Sequence, residues 1–473
     1  MTNVLNPIPR DGADPVEPVT SVDELRRRAT GIVLVPGDEG YADATLAWNV
    51  ASRQAPAVVV EAADVNDVAL AVAYADHAGT GLGVQSTGHG MVRPADGGVL
   101  LLTRHLDDVI VDPVARTAWV GGGSTWGPVL ERAQVHGLAP LLGSAPHVGA
   151  VGYVLGGGMG WLARKFGTGA DSVRAFEVVT PDGRLVRASA TEHPELFAAL
   201  RGGGGGLGIV VGMEIELFPV TTVFGGNLLY PAEQAEAVVT AWAEWIADAP
   251  DELTSEVVFM NFPPLPDVPE PLRGQSFTIV RGCWAGDLDE GRARLARLTD
   301  VIPPIVHMWE ELPFSEVARI SNDPVDPMPA VSSGGWLSRV DTDVARAFAG
   351  ATFPVGGPPT LVFSEIRHVG GATSRGDRAT AVFGNREAEL LWHALGVPMG
   401  EDSAGAIGAA LDALKASLGD ALDDRRYLNF VDGEERRASL AGAVDAEALA
   451  SIRRLKAELD PTDVLRFGVA AAS

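Results

Sequence analysis

The chain is poor in cysteine, in positive charge and in long apolar runs. A single cysteine, Cys283, excludes an internal disulfide and leads us to expect a reducing compartment. Lysine and arginine number 36 against 62 aspartates and glutamates, so the formal net charge is −26. Because so acidic a surface repels phosphate backbones, we do not expect a nucleic-acid partner.

No apolar run reaches the roughly 18 residues that suggest a membrane span. The first residues also lack the basic segment and apolar stretch of a secretory signal. We therefore expect a cytoplasmic protein without membrane association. With 473 residues, 46% of them hydrophobic, the chain has room for two domains at roughly 100–200 residues each.

Motifs of several enzyme classes are also missing. The sequence contains no Walker A lysine pattern, no H-E-x-x-H and no G-x-S-x-G, and its nine histidines are scattered, so we expect no metal site. Gly203, Gly205 and Gly208 do fit G-x-G-x-x-G. The dinucleotide fingerprint, however, follows a strand and opens a helix, whereas here a predicted helix precedes the motif and a β run follows it. This order excludes a Rossmann fold.

The chain is rich in glycine, which falls in three clusters. The first is the turn of residues 84–91, which we call the histidine loop. Its serine, threonine and glycine residues offer backbone N–H groups to a phosphate, and His89 is its one strong nucleophile. A hairpin loop with an exposed histidine is the plain alternative.

The second cluster has seven glycines in the 18 positions from Gly143 to Gly160, and the third spans residues 202–206. Apolar residues alternate with the glycines of the second cluster, so we expect an ordered segment rather than a linker. Glycines in an ordered segment indicate the close approach of another backbone or of a flat ligand. A tightly packed turn without a ligand is the alternative.

The order of these clusters resembles FAD-linked oxidases of the vanillyl-alcohol-oxidase type, in their bacterial berberine-bridge-enzyme-like branch with a PCMH-type FAD-binding domain. Residues 84–90 resemble the family's V-R-S-G-G-H, residues 155–167 its L-G-G-G-x-G-x-L-x-R-K-Y-G, and residues 201–210 its R-G-G-G-G-N-F-G-I-V. Residues 427–430 are similar to Y-x-N-Y/F, and residues 455–466 to the terminal helix and D-P-x-x-V-F-R.

The resemblance implies a two-lobed α+β fold. An FAD-binding lobe would span residues 1–218, with its PCMH-type core at about 50–220. A substrate lobe of antiparallel sheet backed by helices would span 219–425, and residues 426–473 would return to the first lobe. In the substrate lobe and the returning segment, the pattern predicts helices over 232–247, 287–300 and 404–418, and strands over 226–230, 254–260, 276–282, 360–366, 379–383 and 426–431. The proline-rich loops 263–271 and 324–329 are expected at the surface, where either could cover the site.

The same resemblance implies an 8α-N-histidyl bond between His89 and the flavin, which would raise the flavin's redox potential. Ala145 stands where some members have a second, cysteinyl link, so we expect none here. Gln85 replaces the usual arginine and Thr87 a glycine; a β-branched residue would strain the loop if that position needed positive φ. FAD contacts are implied for Gln85, Ser86, Thr87, Gly88, Gly90, Met91, Pro146, Val148, Gly149, Gly152, Gly156, Gly157, Gly158, Ile209, Val210 and Asn429.

Val148 matches a gatekeeper position that tends to be small in oxidases. The implied function is a FAD-dependent oxidase that takes a hydride from a small organic substrate, a secondary-metabolite or catabolic intermediate, to flavin N5. Reoxidation by O2 would then yield H2O2. A dehydrogenase of the same fold with another electron acceptor, and a non-catalytic flavin-binding protein, are the alternatives. The oligomeric state is open.

The catalytic base is open among Tyr427, His393, Glu389 and His147. Phe430 stands where sugar-oxidising members often have a tyrosine. Residues 385–388 resemble an H-R-D-A motif that opens a strand, along which Glu389 and His393 share a face; a helix over 386–395 is the alternative. His147 either faces the flavin or braces its loop. On a neighbouring β run, a surface ion pair is the commoner explanation for Glu365, Arg367 and His368.

Overall fold

The computed structural model describes residues 16–470, apart from residues 267, 377–380, 401 and 439. The strands of these residues form three sheets, which follow one another along the chain. None of the helices in this part of the chain is long and apolar enough to cross a membrane.

The first sheet has the strand order β1-β2-β4-β3. Strand β1 runs antiparallel to β2, whereas β2 and β3 both run parallel to β4. Its strands are β1 (Ile32–Leu34), β2 (Val58–Glu61), β3 (Leu82–Gln85) and β4 (Val99–Leu102), and its helices are α1 (Val22–Arg28), α2 (Tyr41–Ala44) and α3 (Val65–His77). Because β3 runs straight into the histidine loop, this sheet fixes where the loop begins.

Asp67, on α3, joins this helix to the start of the described chain. Its buried carboxylate accepts the backbone N–H groups of Thr30, Gly31 and Ala63 at 2.8, 2.8 and 2.9 Å. A Cβ on Gly31 would lie 2.0 Å from the carbonyl oxygen of Glu61, so only glycine allows this approach. Buried acceptors of this kind need such partners, which is why the side chain can lie in the core.

The second sheet is antiparallel, in the order β5-β6-β9-β7-β8. Its strands are β5 (Val109–Asp112), β6 (Thr117–Gly121), β7 (Val173–Val179), β8 (Leu185–Ser189) and β9 (Ile209–Glu216), and its helices are α4 (Trp126–Gln134), α5 (Ala150–Leu155), α6 (Ala163–Phe166) and α7 (Pro194–Leu200). Trp126, Phe176 and Met213 are fully buried in the largest core cluster between these layers. The second glycine cluster lies around α5 in this layer, and the third lies in the segment between α7 and β9.

The third sheet has eight strands paired antiparallel, in the order β13-β10-β12-β11-β16-β17-β15, with β14 also paired to β10. Its strands are β10 (Thr222–Pro231), β11 (Leu253–Asn261), β12 (Ser276–Trp284), β13 (Val306–His307), β14 (Glu310–Pro313), β15 (Val331–Leu337), β16 (Phe363–His368) and β17 (Leu390–Gly396), and its helices are α8 (Ala235–Ile246), α9 (Leu288–Thr299), α10 (Thr342–Thr352) and α11 (Ser403–Leu418). The helices cover one face, whose core includes Val257, Ile366 and Trp392. Side chains of the alternate positions form the opposite, inner face.

The C-terminal residues pack against the first two sheets. They form the helices α12 (Gly433–Ala438), α13 (Leu440–Ala443) and α14 (Ala446–Leu459). Ile452 and Val469 join the core of the second sheet, and Val464 joins that of the first. The division of the chain near residues 218 and 425 stays a prediction.

Several helices and strands differ between the sequence prediction and the structure. Residues 426–431 are not a strand, because a turn closed by the Phe430 N–H on the Tyr427 carbonyl, at 3.0 Å, holds a 3-10 turn there. The alternative helix over 386–395 is wrong, since pairing with two neighbouring strands overrides its helical composition. In the predicted strand 379–383, residues 379–380 lie outside the described residues and 381–383 form no strand. Strand β15 and helix α10 had no counterpart in the sequence prediction.

The ion pair around Glu365 is buried, not at the surface. Glu365 is 1% exposed and His368 5%. On β16, Glu365 shares the inner face of the sheet with Arg367, where both meet charged residues of neighbouring strands. Because these partners lie on different strands and are distant in sequence, their pairing leaves no local pattern in the sequence.

The burial of His368 predicts a pH-dependent stability. Burial and the nearby Arg164, whose Nη1 lies 2.9 Å from His368 Nε2, lower the pKa of His368 to about 3. Between pH 7 and pH 5 the unfolded chain therefore gains a proton at this histidine that the folded chain does not bind, and the free energy of unfolding falls. We expect the wild type to lose up to about 2 kcal/mol more than His368→Gln over this range in chemical unfolding. Equal losses in the two proteins would contradict this assignment.

Candidate active site

A cavity of about 430 Å³ lies between the glycine clusters and the inner face of the third sheet. The histidine loop, residues 143–155 and residues 204–210 contribute to one side. The opposite side, which we call the polar wall, consists of Arg367, His393, Tyr427, Asn429 and Phe430. A single space therefore joins the predicted cofactor loops to the predicted substrate lobe.

The histidine loop turns at Gly88, which has a φ of +78°. A Cβ at this position would lie 2.6 Å from that of Ala47, so the position needs glycine both for conformation and for space. Thr87, the substitution that raised the question of strain, is not among the positive-φ residues. Instead its Oγ1 forms a hydrogen bond of 2.8 Å with Nδ1 of His89.

His89 is held in place from two sides. Its ring stacks on Trp48 with 4.3 Å between centroids and an interplanar angle of 14°, and His147 lies 5.0 Å away. Burial, with a smaller effect of His147, lowers the pKa of His89 to about 3. Its buried Nε2 has no hydrogen-bond partner among the described residues. The imidazole is therefore neutral at pH 7 and keeps one ring nitrogen available.

The second glycine cluster brings distant segments together. A Cβ on Gly149 would lie 3.0 Å from the Ser86 hydroxyl, and one on Gly156 would lie 1.9 Å from Oδ1 of Asn429. The Asn429 amide donates to the carbonyl of Tyr153 at 3.0 Å, which fixes its position. Gly152 differs, since no atom lies within 4 Å of its Cβ position and it faces the cavity.

Tyr427 and Asn429 of the polar wall are in direct contact. Asn429 Nδ2 also donates to Oη of Tyr427 at 3.3 Å. Burial raises the pKa of Tyr427 to about 12, although Asn429 and other polar neighbours oppose the shift. The phenol therefore stays protonated at neutral pH. A tight turn, rather than the predicted strand, brings Tyr427 and Asn429 together.

His393 projects from β17 into the same cavity. Its ring stacks on Phe430 with 4.4 Å between centroids and an angle of 20°. Burial, followed by the charge of Arg367, lowers the pKa of His393 to about 3. Its Nδ1 lies 4.0 Å from Glu365 Oε1. The imidazole is therefore neutral at pH 7 and can accept a hydrogen bond or a proton from a substrate, as a weaker base than a free imidazole.

Most of the predicted site residues lie on the cavity wall, including Ala145, which can form no thioether. Gln85 lies there too, but its amide binds the Leu46 carbonyl and Gln54 at 2.9 Å each. Gly157 and Gly158 pack against Phe383 and Tyr153 outside the cavity. The residues on the wall are Gln85, Ser86, Thr87, Gly88, His89, Gly90, Met91, Val148, Gly149, Gly152, Ile209, Val210, His393, Tyr427 and Asn429. Those that do not line it are Pro146, Gly156, Gly157, Gly158, His147 and Glu389.

Two of the four candidate bases are therefore displaced from the cavity. Glu389 is exposed and precedes β17, with its Cγ 3.6 Å from the Cβ position of Gly370. His147 packs beside His89 and Trp48, so it braces the histidine loop. His393 and Tyr427 are the candidates that line the cavity.

Sequence reasoning assigned no role in the site to Trp48, Arg367 or Arg436, all of which line the cavity. Trp48 precedes the histidine loop by about 40 residues, so the sequence did not predict that its ring stacks on His89. Arg436 comes from α12, and a Cβ on Gly90 would lie 2.3 Å from its Nη1. The glycine after the histidine was the one local sign of this contact.

Comparisons with known proteins agree with this arrangement. A family model described as an FAD binding domain matches residues 56–189. The chain is 29% identical over 317 residues to (R)-6-hydroxynicotine oxidase of Paenarthrobacter nicotinovorans, covering 65% of this chain and 66% of that protein. It is 25% identical over 307 residues to an FAD-linked oxidoreductase of Dictyostelium discoideum, covering 64% and 65%. The chain thus spans just under two thirds of the length of these curated relatives.

Solved structures share the fold over nearly the whole chain. 6-Hydroxy-D-nicotine oxidase from Arthrobacter nicotinovorans matches with a TM-score of 0.79 and 23% identity, covering 93% of this chain and 97% of that one. Xylooligosaccharide oxidase from Myceliophthora thermophila C1 matches with a TM-score of 0.81 and 22% identity, covering 96% and 99%. At these identities the likeness is one of fold.

Fold and site together define a two-lobed flavoprotein with a PCMH-type FAD-binding region, as the sequence predicted. The matched FAD binding domain and the shared fold make the chain similar to FAD-linked oxidoreductases. Its own residues fit FAD. The unpartnered Nε2 of His89, the glycine turn at Gly88 and the open space at Gly152 all face one cavity.

The open space at Gly152 predicts opposite effects of one substitution. Alanine in α5 should stabilise the FAD-free protein by roughly 0.5–1 kcal/mol, because glycine is unfavourable inside a helix. Its methyl group points into the cavity and should weaken FAD binding by at least about tenfold, or about 1.4 kcal/mol. Thermal unfolding and FAD titration, both in a His89→Ala background that keeps binding reversible, measure the two effects.

Gly350→Ala is the matched control. Gly350 lies in α10, also with no atom within 4 Å of its Cβ position, but does not line the cavity. It should raise stability similarly and leave FAD affinity unchanged. Unaltered FAD affinity in Gly152→Ala would contradict the placement of the cofactor.

Proposed function

We propose that this protein is a FAD-dependent oxidase of a small organic substrate. When bound, FAD supplies the hydride acceptor at flavin N5 and is reoxidised by O2 to give H2O2. The supporting observation is the single cavity that joins His89 and the glycine clusters to His393 on the polar wall. The named activities of the two nicotine oxidases and of xylooligosaccharide oxidase agree with this class of reaction.

His89 is the proposed site of an 8α-N-histidyl bond to FAD. The Thr87 hydrogen bond and the Trp48 stack orient its ring, and burial keeps it unprotonated and therefore nucleophilic. A glucooligosaccharide oxidase of Acremonium strictum is described with 6-S-cysteinyl, 8α-N1-histidyl FAD. A second link is not proposed here, because Ala145 lines the cavity and Cys283 is buried in β12.

His393 is the proposed proton acceptor. It lines the cavity, its ring is neutral at pH 7, and Phe430 fixes its orientation by stacking. Tyr427 keeps its proton at this pH and is better suited to position the substrate together with Asn429. Glu389 and His147 have no direct access to the cavity.

The proposed use of O2 depends on Val148, which lies on the cavity wall. Its small side chain would leave a path for oxygen, whereas a dehydrogenase of the same fold would pass electrons to another acceptor. The small-molecule substrate and O2 are the partners this function needs. The cytoplasmic location was inferred in part from the single cysteine, and it stays a prediction.

Reoxidation kinetics test the oxidase assignment. Flavin that has been photoreduced in the protein should reoxidise on mixing with aerated buffer and release H2O2 in equal amount. Val148→Leu should slow this step by at least about tenfold, or about 1.4 kcal/mol in barrier, because it narrows the oxygen path. Reoxidation by dichlorophenolindophenol is the control and should be unchanged. Fast reaction with the dye and none with O2 would favour the dehydrogenase.

Retention of flavin after denaturation tests the covalent bond. In wild type, flavin fluorescence should stay with the polypeptide in an SDS gel, whereas His89→Ala should bind FAD and release it on denaturation. His147→Ala is the matched control, because its ring lies in the same stack but outside the cavity, and it should retain the flavin. Free flavin from the wild type would exclude the bond while leaving FAD binding intact.

A further inference from the structure

A row of charged side chains crosses the inner face of the third sheet. Arg281 on β12 stands opposite Glu256 on β11, which stands opposite Arg367 on β16. Glu365 lies two residues from Arg367 on the same face and pairs in register with His393 of β17. This face is the one that forms the polar wall of the cavity.

Two buried carboxylates hold Arg367 in place. Its Nε lies 2.6 Å from Glu256 Oε2, and its Nη2 donates to Glu365 Oε1 at 2.8 Å. Glu256 is fully buried and Glu365 is 1% exposed, so neither can move into solvent. Although burial opposes it, these carboxylates raise the pKa of Arg367 and keep the guanidinium charged.

The remaining corner of the Arg367 guanidinium faces the cavity. No hydrogen bond or ion pair of its Nη1 appears among the described residues, and the side chain is 13% exposed. Arg281 has the same two carboxylate partners but does not line the cavity. An arginine locked at two nitrogens and open at the third suits the recognition of a carboxylate or phenolate.

Other titratable groups lie in and near the cavity, besides the positively charged Arg367. His393 and Tyr427 are neutral at pH 7. Asp323 acts electrostatically on Arg367 and His393 but does not line the cavity. Asp432 and Arg436 do line it and act electrostatically on one another. Arg367 is therefore a charged group that lines the cavity while its carboxylate partners do not, so its cavity-facing nitrogen favours an anionic ligand.

An apolar surface continues from this charged row along the same face. Leu395, on the cavity wall, is the cross-strand partner of Phe363, which in turn stands opposite Met260. Phe262, Leu272 and Phe277 complete the cluster, and its outer members are only partly buried. Partly exposed aromatic and aliphatic groups beside a fixed cation suit a ligand with an apolar body and an acidic head.

We propose that the substrate of this oxidase is an aromatic or otherwise apolar molecule with a carboxylate or acidic hydroxyl, which Arg367 binds beside His393. This inference deepens the proposed function and rests on it. Arg367 acts as a specificity-determining residue, since it selects the charge of the ligand and orients it toward the proton acceptor.

Binding of small aromatic probes to the FAD-loaded protein tests this charge preference. Benzoate, benzamide and benzylamine share a ring and differ in charge, and binding next to the flavin changes its visible spectrum. We expect saturable difference spectra with benzoate, with benzamide binding at least about tenfold more weakly. Benzylamine should give no change up to the highest benzoate concentration used. Equal or tighter binding of benzylamine, or no response to benzoate, would overturn the proposal.

Arg367→Lys and Arg281→Lys form a matched pair. Both keep a cation for the two carboxylates and lose the planar guanidinium fork, but only Arg367 faces the cavity. We expect benzoate binding to weaken by at least about tenfold in Arg367→Lys and by less than about twofold in Arg281→Lys. Equal weakening in the two variants would overturn the role of Arg367. If Arg367→Lys fails to fold, the binding of the three probes to the wild type alone tests the proposal.

Failure of this inference differs from failure of the proposed function. A protein that binds no FAD contradicts the function before any probe is added. A protein whose flavin reacts with O2 but does not respond to benzoate is an oxidase of another substrate class.

Discussion

The site depends on the close approach of chain segments that are far apart in sequence, which glycine makes possible. Gly156 and Asn429 meet at a distance that leaves no room for a Cβ, and Gly149 lies close to Ser86, where a Cβ would make a tight contact of 3.0 Å. These contacts bring the second glycine cluster against both the histidine loop and the polar wall. His89 and His393 thereby line one common cavity.

The parts of the fold with local signals could be predicted from the sequence. Apolar periodicity indicated α3, α9 and α11, and the glycine clusters, in their order, indicated a cofactor-binding region. The turn at residues 427–430 and the strand β17 could not be predicted in this way, since tertiary pairing overrides local preference in both. The charged row was equally hidden, because Arg281 and Glu365 are 84 residues apart.

Burial gives the two cavity histidines the same property for different purposes. Both His89 and His393 have a pKa lowered to about 3, and both stack on an aromatic ring, Trp48 or Phe430. A neutral ring at His89 suits bond formation with the cofactor, whereas a neutral ring at His393 suits acceptance of a proton. With His393 of β17 as the proposed base, the polar wall needs no tyrosinate, which agrees with a phenylalanine, Phe430, at the neighbouring turn.

Burying the charged row has an unfavourable desolvation free energy, which a purely structural role would not require. Two carboxylates and two guanidinium groups are desolvated together, and apolar residues of similar size would often stabilise such a position equally well. Only one of these groups, Arg367, reaches the cavity, and the others determine where it stands and keep it charged. Arg281 compensates the second carboxylate, so that the cluster is neutral without a ligand. A fixed cation beside a neutral base is therefore the feature by which this sheet distinguishes its substrate from an uncharged one.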